Sequence, residues 1–371
     1  MRRSHGITGG TAGRSGSVIE ADDNNKKNTE QNGRVSPPSN SAPQEHILSG
    51  LTQRPRRVSG ANGNAGPGRR QLLNRVPQRP PGSPVLCLDR DPSNATSLYR
   101  YRSTADLTAL QGRGLDLTGM ENLHLSCSAS LASPGDVETL YRLSNGSFLV
   151  LAIREESYAS VGDLPATWML PNDWANVGKS SEEVALDQNA RIDQLKRQDT
   201  VTLIHKADFK AGLVAPRTVT LEQPVILDER TLVENGHGLF DQITVTDHCR
   251  PRPQQVDRYL EIVRSIPKGM TLHIHCQGGR GRSTTGCVEW DMLHNAGNVS
   301  AHEIIRRQEV FGLDYDISGE PGAKPHKDDF RQDRLEFLLE FYEYAKAYPI
   351  GHPHPPTWTE WRGEESNLIR A

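Results

Sequence analysis

The 371 residues suffice for one large domain with a tail or for two small domains, and the formal net charge is −3. Residues 1–81 contain 13 Lys or Arg against 5 Asp or Glu, whereas the remainder contains 30 against 41, so the folded part is not expected to bind nucleic acid. Five cysteines without Cys-x-x-Cys spacing favour neither a disulfide framework nor a zinc site, and no apolar run reaches the ~20 residues of a membrane span.

The first 81 residues are predicted to form a disordered basic tail. They contain no Phe, Trp or Tyr, and the first aromatic residue of the chain is Tyr99. Such a segment cannot bury enough apolar surface to offset the entropy of ordering it. We read its basic cluster Arg54–Arg57 as solvated charge rather than as a targeting or nucleic-acid patch. The composition lacks a Sec-type signal and suits export through a narrow bacterial channel.

Residues 82–371 are predicted to form one domain in which strands alternate with helices. Strands are predicted at Gly119–Ser126, Ser147–Arg154, Val201–His205, Arg217–Leu221 and Leu239–Thr246. Helices are predicted at Pro134–Leu143, Ser180–Arg197, Leu227–Asn235, Pro253–Ile266, Ala301–Val310 and Asp329–Tyr348. This alternation favours an α/β core with a largely parallel sheet.

A strand, a glycine-rich turn and a helix follow one another from Thr271 to Leu293. The strand Thr271–His275 delivers Cys276 at its end, and the helix begins at Ser283. Glycines at 278, 279 and 281 allow the amide groups between them to converge, and the helix start adds a positive dipole end. The combination predicts a site at which a thiolate attacks a bound phosphate. A Walker-type loop is excluded because it requires a lysine that is absent here.

Each polar residue of this stretch has a predicted role. A free thiol has a pKa of roughly 8.5, which the helix start and the cations Arg282, Arg280 and His275 would lower at Cys276. Arg282 can hold two phosphate oxygens, and the Ser283 hydroxyl can stabilise the thiolate when it leaves. A lone cysteine at a strand end would more often be structural, but the glycines and the Arg-Ser-Thr run make that reading improbable.

The proton donor is predicted on a separate loop. Asp247 follows a strand and precedes a helix, and as general acid it would contribute about 10²–10⁴ in rate. From spacing alone, Asp247 could equally be an ordinary aspartate in the turn before the helix. His248 could orient Asp247 or cap the loop, and Gln308 could position water or lie on the surface.

At this point the sequence resembles the cysteine phytases, the protein-tyrosine-phosphatase-like inositol polyphosphatases, from about Tyr99 to Trp361. The matching stretches are Tyr101–Thr104, Arg154–Ser157, Asn172–Gly178, the Asp247 loop and the Cys276 loop. The resemblance implies a tyrosine-phosphatase core, with a central mixed or parallel sheet between helices, and a small partial β-barrel, without metal or cofactor. It implies Cys276 as nucleophile, Arg282 as phosphate clamp, Asp247 as acid and Arg102 as a substrate-phosphate contact.

The chain departs from the family at two positions. Ala152 replaces an aspartate that often precedes the matched arginine, and Arg280 replaces an apolar residue of the loop. An extra cation favours a substrate that bears several phosphates. The expected substrate-binding set is Gln277, Gly278, Gly279, Arg280, Gly281, Arg102, Lys206, Lys324 and Lys327, although each lysine alone would more often be a solvated surface charge.

These residues lead to the expectation of a metal-independent phosphatase acting on myo-inositol hexakisphosphate through a cysteinyl-phosphate. A phosphotyrosine or phosphoinositide phosphatase is the enzymatic alternative. A phosphate-binding module without activity is disfavoured because Cys276, Arg282 and Asp247 are all present. With its tail, the chain looks like a type III effector of plant-pathogenic bacteria, delivered to the host cytoplasm or nucleus. The tail could bind a secretion chaperone.

Overall fold

The computed structural model describes residues 77–91, 98–317 and 327–363, all within one compact unit that spans 61–371. The predicted tail therefore lies almost wholly outside the described residues, and its boundary at 81 stays a prediction. Within the described ranges the strands are β1 Val85–Leu88, β2 Arg102–Ser103, β3 Leu125–Ala129, β4 Phe148–Ile153, β5 Tyr158–Val161, β6 Leu164–Met169, β7 Thr200–His205, β8 Thr218–Glu222, β9 Ile226–Leu227, β10 Leu239–Ile243 and β11 Thr271–Cys276.

Helices flank the strands on the described part of the chain. They are α1 Pro134–Leu143, α2 Ser181–Leu195, α3 Lys206–Lys210, α4 Glu229–Asn235, α5 Pro253–Arg264, α6 Gly281–Asn295, α7 Ala301–Phe311, α8 Asp328–Ala347 and α9 Trp358–Arg362. None of these helices is long and apolar enough to cross a membrane.

A five-stranded sheet supports the Cys276 loop. Its order is β10-β4-β11-β3-β2, and all neighbouring pairs are parallel except β2 with β3. β4 and β11 lie inside the sheet, and β4 is a fully buried apolar run, as parallel strands covered on both faces require. Helix α6 follows β11 directly and is buried along most of its length. Cys276 therefore lies at the carboxyl end of a central strand, where α/β folds place their ligands.

The second sheet has six strands in the order β8-β7-β1-β6-β5-β9, antiparallel except for β1 with β7. It is a separate β unit beside the sheet that carries Cys276, and no closed barrel is seen among the described strands. β5 and β6 were not predicted from the sequence, because β5 has only four residues and Pro165 lies near the start of β6. Proline argues against an interior strand, but here it lies close to the turn that joins the two strands.

The predicted elements are largely confirmed, with corrections at their ends. The helix Pro134–Leu143 has the predicted bounds. The strand predicted at Gly119–Ser126 is wrong except for its last two residues, because Met120–Asn122 is a 3-10 turn and the strand begins only at Leu125. Gly119 (φ 78°) and His124 (φ 45°) are left-handed, which no regular strand accommodates. The helix predicted from Leu227 begins at Glu229, since Ile226–Leu227 pairs as β9.

Candidate active site

The Cys276 loop requires glycine at one position above all. Cys276 is 4% exposed at the end of β11, and Gly279 has φ +66°. A Cβ at Gly279 would lie 2.3 Å from the Ser128 carbonyl oxygen and 2.6 Å from the Ala129 nitrogen. These neighbours are backbone atoms of the adjacent strand and cannot move aside. The close approach of the loop to β3 therefore depends on a residue without a side chain.

The direction of the loop carbonyls indicates where the loop amides point. The Ser130 amide donates to the Gln277 carbonyl at 3.4 Å, and Nη1 of Arg100 donates to the Gly278 carbonyl at 2.7 Å. In a planar trans peptide the following N–H points opposite to the carbonyl. The amides of Gly278 and Gly279 therefore face away from Ser130 and Arg100. With the start of α6 they form a cradle for an anion.

A buried glutamate holds the arginine that follows the loop. Nη1 and Nη2 of Arg282 donate to the two carboxylate oxygens of Glu156, both at 2.6 Å. Nη1 also donates to the Val245 carbonyl at 2.9 Å. Burial disfavours the charged form, but Glu156 and Asp247 outweigh it and hold the pKa of Arg282 well above its usual value. The guanidinium is thus a permanent cation in a fixed orientation.

The surroundings of Cys276 favour the thiolate form of its side chain. Burial raises its pKa, but Arg282 and the hydroxyl and amide of Ser283 outweigh burial, so that the pKa lies below its usual value. His275 does not contribute the expected cation, because burial lowers its pKa well below the ordinary range and leaves the ring neutral. Arg280 directs its guanidinium to the Leu313 carbonyl at 2.9 Å.

The Asp247 carboxylate lines the same cleft as Cys276 and Arg282. It lies 3.3 Å from Nη2 of Arg282 and 3.1 Å from Nε2 of His248. Burial would raise the pKa of Asp247, but Arg282 and then His248 outweigh it and hold that pKa well below its usual range. Burial lowers the pKa of His248 to about 4. The contact between a neutral His248 ring and the Asp247 carboxylate favours orientation of Asp247, the first of the two predicted roles of His248.

Two side chains fix the backbone of the Asp247 loop. Nε1 of Trp174 donates to the Asp247 carbonyl at 3.1 Å, and Nη2 of Arg334 donates to the His248 carbonyl at 2.8 Å. Trp174 belongs to the Asn172–Gly178 stretch on which the resemblance partly rests. That stretch therefore has a physical function, because it positions the predicted acid.

The Cys276 thiol opens into a strongly basic cleft, whose empty space of about 620 Å³ includes open solvent at its mouth. Seven basic residues and two acidic ones line it: Arg100, Lys206, Lys210, Arg280, Arg282, Lys327, Arg334, Asp173 and Asp247. Two of these cations have a carboxylate partner close by: Arg282 pairs with Glu156 at 2.6 Å, and Nζ of Lys210 lies 2.8 Å from Asp173. This cationic surplus belongs to a chain whose net charge is −3.

Most of the predicted site residues meet at this cleft. Those that line it are Cys276, Gln277, Gly278, Arg280, Gly281, Arg282, Asp247, His248, Lys206 and Lys327. Ser283 is buried beside Cys276, and Gly279 lies inside the loop. Lys324 lies outside the described residues. Gln308 matches neither of its readings, because it is fully buried and donates to Asp291 at 2.8 Å.

Arg102 does not line the cleft. Its Nη1 donates to the Arg100 carbonyl at 3.2 Å, and its guanidinium lies 5.7 Å from the centroid of the Phe311 ring. Arg100, two residues earlier, lines the cleft instead. A substrate contact by Arg102 thus stays a prediction.

Sequence reasoning missed Glu156, Arg100, Asp173, Lys210, Trp174 and Arg334. Glu156 had a usable signal, because a buried phosphate-binding arginine needs a carboxylate partner and Glu156 lies inside a stretch already matched to the family. Oxygens of Glu156, Asp173 and Asp247 lie within 4.8 Å of one another, a spacing that could suit a metal ion. Each of them already pairs with a cationic side chain, so we assign them to ion pairs.

Comparison with known proteins places this site in a family. The model of the PTP-like phytase family, described by inositol hexakisphosphate, matches residues 151–294. Effector protein hopD2 of Pseudomonas syringae pv. tomato is 34% identical over 283 residues, which are 76% of this chain and 60% of hopD2. AvrBs1.1 of Xanthomonas campestris pv. campestris is 44% identical over 100 residues, 26% of this chain and 93% of AvrBs1.1.

Solved structures agree with this assignment. A PTP-like phytase from Bdellovibrio bacteriovorus matches with a TM-score of 0.61 and 29% identity over 78% of this chain and 98% of that one. A PTP-like myo-inositol phosphatase from Mitsuokella multacida, in complex with myo-inositol-(1,3,4,5)-tetrakisphosphate, matches with a TM-score of 0.67 and 25% identity over 80% of this chain and 50% of that one. The chain thus spans well under two thirds of hopD2 and half of the Mitsuokella protein, and it belongs to the family of PTP-like phytases.

Proposed function

We propose that this protein is a phosphoric monoester hydrolase that removes phosphate from myo-inositol hexakisphosphate through a cysteinyl-phosphate intermediate. The observation that carries the proposal is the basic cleft around Cys276 and Arg282, in which seven cations face two carboxylates. A single phosphate needs only the loop and Arg282. The remaining cations would be superfluous unless the substrate carried further phosphates.

The first step transfers the phosphoryl group to sulfur. The Cys276 thiolate attacks phosphorus while Arg282 and the loop amides bind the equatorial oxygens. As the sulfur–phosphorus bond forms, the bond to the ester oxygen breaks, and Asp247 gives its proton to the departing alkoxide. The pKa of Asp247 is held low chiefly by Arg282. A bound phosphate dianion neutralises that cation, so binding of substrate favours the protonated carboxyl.

The second step returns the thiolate. Water attacks phosphorus on the face that the alkoxide has left, and the Asp247 carboxylate accepts its proton. The phosphorus–sulfur bond breaks as the new phosphorus–oxygen bond forms, which releases inorganic phosphate. Ser283 lowers the pKa of Cys276 and so makes it a better leaving group. No charge in either step requires a metal, because Arg282 and the amides supply the stabilisation.

We also propose delivery into a host cell by a bacterial type III system. Similarity to Effector protein hopD2 over 283 residues, 76% of this chain, supports this. Residues 1–81 would be the secretion segment, with a chaperone as partner, and residues 82–371 the catalytic domain that acts in the host cytoplasm. No observation favours the nucleus as the destination.

The test compares phosphate release from myo-inositol hexakisphosphate, a phosphotyrosine peptide and a soluble phosphoinositide. We expect the highest kcat/KM for the hexakisphosphate; a clear preference for the peptide or the phosphoinositide would overturn the assigned substrate. Cys276→Ser should abolish turnover, and retained turnover would contradict the nucleophile. Asp247→Asn should cost about 10²–10⁴ in rate for alkyl phosphates and much less for activated aryl phosphates. Deletion of residues 1–81 should leave kcat/KM in vitro unchanged.

A further inference from the structure

Three strand ends meet on the side of the cleft that faces the six-stranded sheet. Leu88 and His205 are register partners in the parallel pair of β1 with β7, so the residues that follow them, Asp89 and Lys206, are neighbours. Gln277 follows Cys276 at the end of β11 and lies between the two. Residues that follow strands of both sheets thus form one hydrogen-bond network, Asp89–Gln277–Lys206, next to the nucleophile.

Each hydrogen bond of the Asp89–Gln277–Lys206 network has a fixed donor and a fixed acceptor. Nε2 of Gln277 donates to Oδ1 of Asp89 at 2.8 Å, and Nζ of Lys206 donates to Oε1 of Gln277. Thr167 donates to the other oxygen of Asp89 at 2.8 Å and fixes the carboxylate on β6. A carboxylate only accepts and an ammonium only donates, so one orientation of the Gln277 amide satisfies both partners. Without Asp89 the amide could turn its NH₂ group towards Lys206, where two donors would repel each other.

We propose that Asp89 is a positioning residue that acts through Gln277 to hold the Lys206 ammonium for a substrate phosphate other than the one being cleaved. The inference rests on the proposed function. The scissile phosphate is held by Arg282 and the loop, and Lys206 reaches the cleft from a different sheet. Burial raises the pKa of Asp89 to about 6, so the carboxylate is ionised in an assay at pH 7.5. The Asp89–Gln277–Lys206 network therefore affects the affinity for the polyphosphate and not the rate of the chemical step.

Binding provides a test that turnover does not influence. In the Cys276→Ser background, calorimetry measures the affinity for myo-inositol hexakisphosphate of Asp89→Ala, Lys206→Ala and the double variant. We expect each single variant to weaken binding by about tenfold, the order of one charge-assisted hydrogen bond. The double variant should bind no more weakly than Lys206→Ala, because both substitutions remove the same contact. Asp89→Asn should retain most of the affinity, since its oxygen still accepts from Gln277.

Turnover by the protein with Cys276 intact gives a second readout. Asp89→Ala should raise KM for the hexakisphosphate several-fold and change kcat little. The control Asp193→Ala, an exposed position on α2, should change neither quantity. Thermal unfolding identifies loss of fold, and if Asp89→Ala does not fold, Asp89→Leu, which keeps the shape of the side chain without an acceptor, provides the same test.

The outcomes distinguish this inference from the function on which it rests. Additive losses in the double variant, or unchanged binding by Asp89→Ala, would overturn the positioning role alone. A fall in kcat with intact affinity would also contradict it, because that result indicates an effect on the chemical step. Failure of the Cys276→Ser protein to bind the hexakisphosphate at all would overturn the proposed function together with the subsite.

Discussion

Glu156 binds the guanidinium of Arg282 through two hydrogen bonds of 2.6 Å, with both side chains almost completely buried. Nη2 of the same guanidinium also lies 3.3 Å from Oδ1 of Asp247. The arginine is therefore oriented before any phosphate arrives, so that substrate binding does not have to order a long side chain. Strands β4 and β11 together supply this arrangement, because Glu156 follows β4 and Arg282 follows β11.

Glu156→Gln tests this alignment. The substitution keeps the shape of the side chain but leaves a buried cation without its carboxylate. We expect a loss of about 3–5 kcal/mol in the free energy of unfolding and a fall of about 10²-fold in kcat/KM, measured by urea unfolding and phosphate release. Glu261→Gln, in an exposed pair with Arg258, is the control and should cost no more than ~1 kcal/mol. Equal kinetics for the two variants would show that Arg282 needs no partner.

Gly279 and Gly278 form a matched pair of test positions. A Cβ at Gly279 would overlap backbone atoms of β3 and would occupy a left-handed conformation, whereas the nearest atom to a Cβ at Gly278 is Nη1 of Arg100 at 3.6 Å. Gly279→Ala should therefore lower kcat/KM at least ~10-fold, since left-handed strain alone costs roughly 1–2 kcal/mol. Gly278→Ala should have little effect. The reverse order in steady-state kinetics would contradict this geometry of the loop.

The sequence predicted the Cys276 unit well because its signals are local. A strand end, a glycine turn and a helix start are all encoded within residues 271–293, and Cys276 lies where they predict, at the end of β11. Glu156 and Arg100 were missed because their roles depend on the order of strands in the sheet, which no local pattern encodes. Arg102 was predicted as a substrate contact and Arg100 was not, since a motif match cannot distinguish a side chain in the core from one in the cleft.

The reliance on local sequence patterns also explains why His275 was predicted to be a cation beside the thiol. His275 is adjacent to Cys276 in sequence, which suggested a charge beside the thiol. The alternation of a strand directs neighbouring side chains to opposite faces, and His275 is completely buried, with Nε2 3.3 Å from Glu229. Desolvation then makes the ring neutral. Proximity in sequence predicted a contact that the geometry of a β-strand forbids.

The thiolate can be tested by alkylation. The pKa of Cys276 is lowered, whereas burial raises the pKa of both Cys87 and Cys249 to about 12. Iodoacetate at pH 6.5 should therefore modify Cys276 first, at a rate that inorganic phosphate reduces by occupying the cradle. Mass spectrometry of the peptides identifies the site, with Cys276→Ser as control. Preferential labelling of Cys87 or Cys249 would refute an activated Cys276.

Glu155 predicts a pH dependence of stability. Its carboxyl lies 3.3 Å from Arg252, and burial, only partly offset by Thr246 and Arg252, raises its pKa from 4.5 to about 7. Because the folded state holds this proton more tightly, its contribution is complete below about pH 4.5 and is lost as pH rises through 7. Glu155→Gln should remove up to ~3 kcal/mol of the fall in unfolding free energy between pH 5 and pH 7.5. Identical slopes in urea unfolding would exclude Glu155 as the titrating group.

Arg100 and Arg102 allow the substrate contact to be assigned by a matched pair of substitutions. Arg100 lines the cleft and holds the Gly278 carbonyl, so Arg100→Met should raise KM for myo-inositol hexakisphosphate about tenfold, the order of one charged hydrogen bond. Arg102 is 9% exposed, and its Nε and Nη2 have no hydrogen-bond partner among the described residues. Methionine there keeps the packing on Phe311 and removes a buried charge, which is often neutral or stabilising. Arg102→Met should therefore leave KM near the parent value and keep or raise Tm. If Arg102→Met rather than Arg100→Met raised KM, the contact implied by the family resemblance would be right, and the guanidinium of Arg102 would have to turn into the cleft when substrate binds.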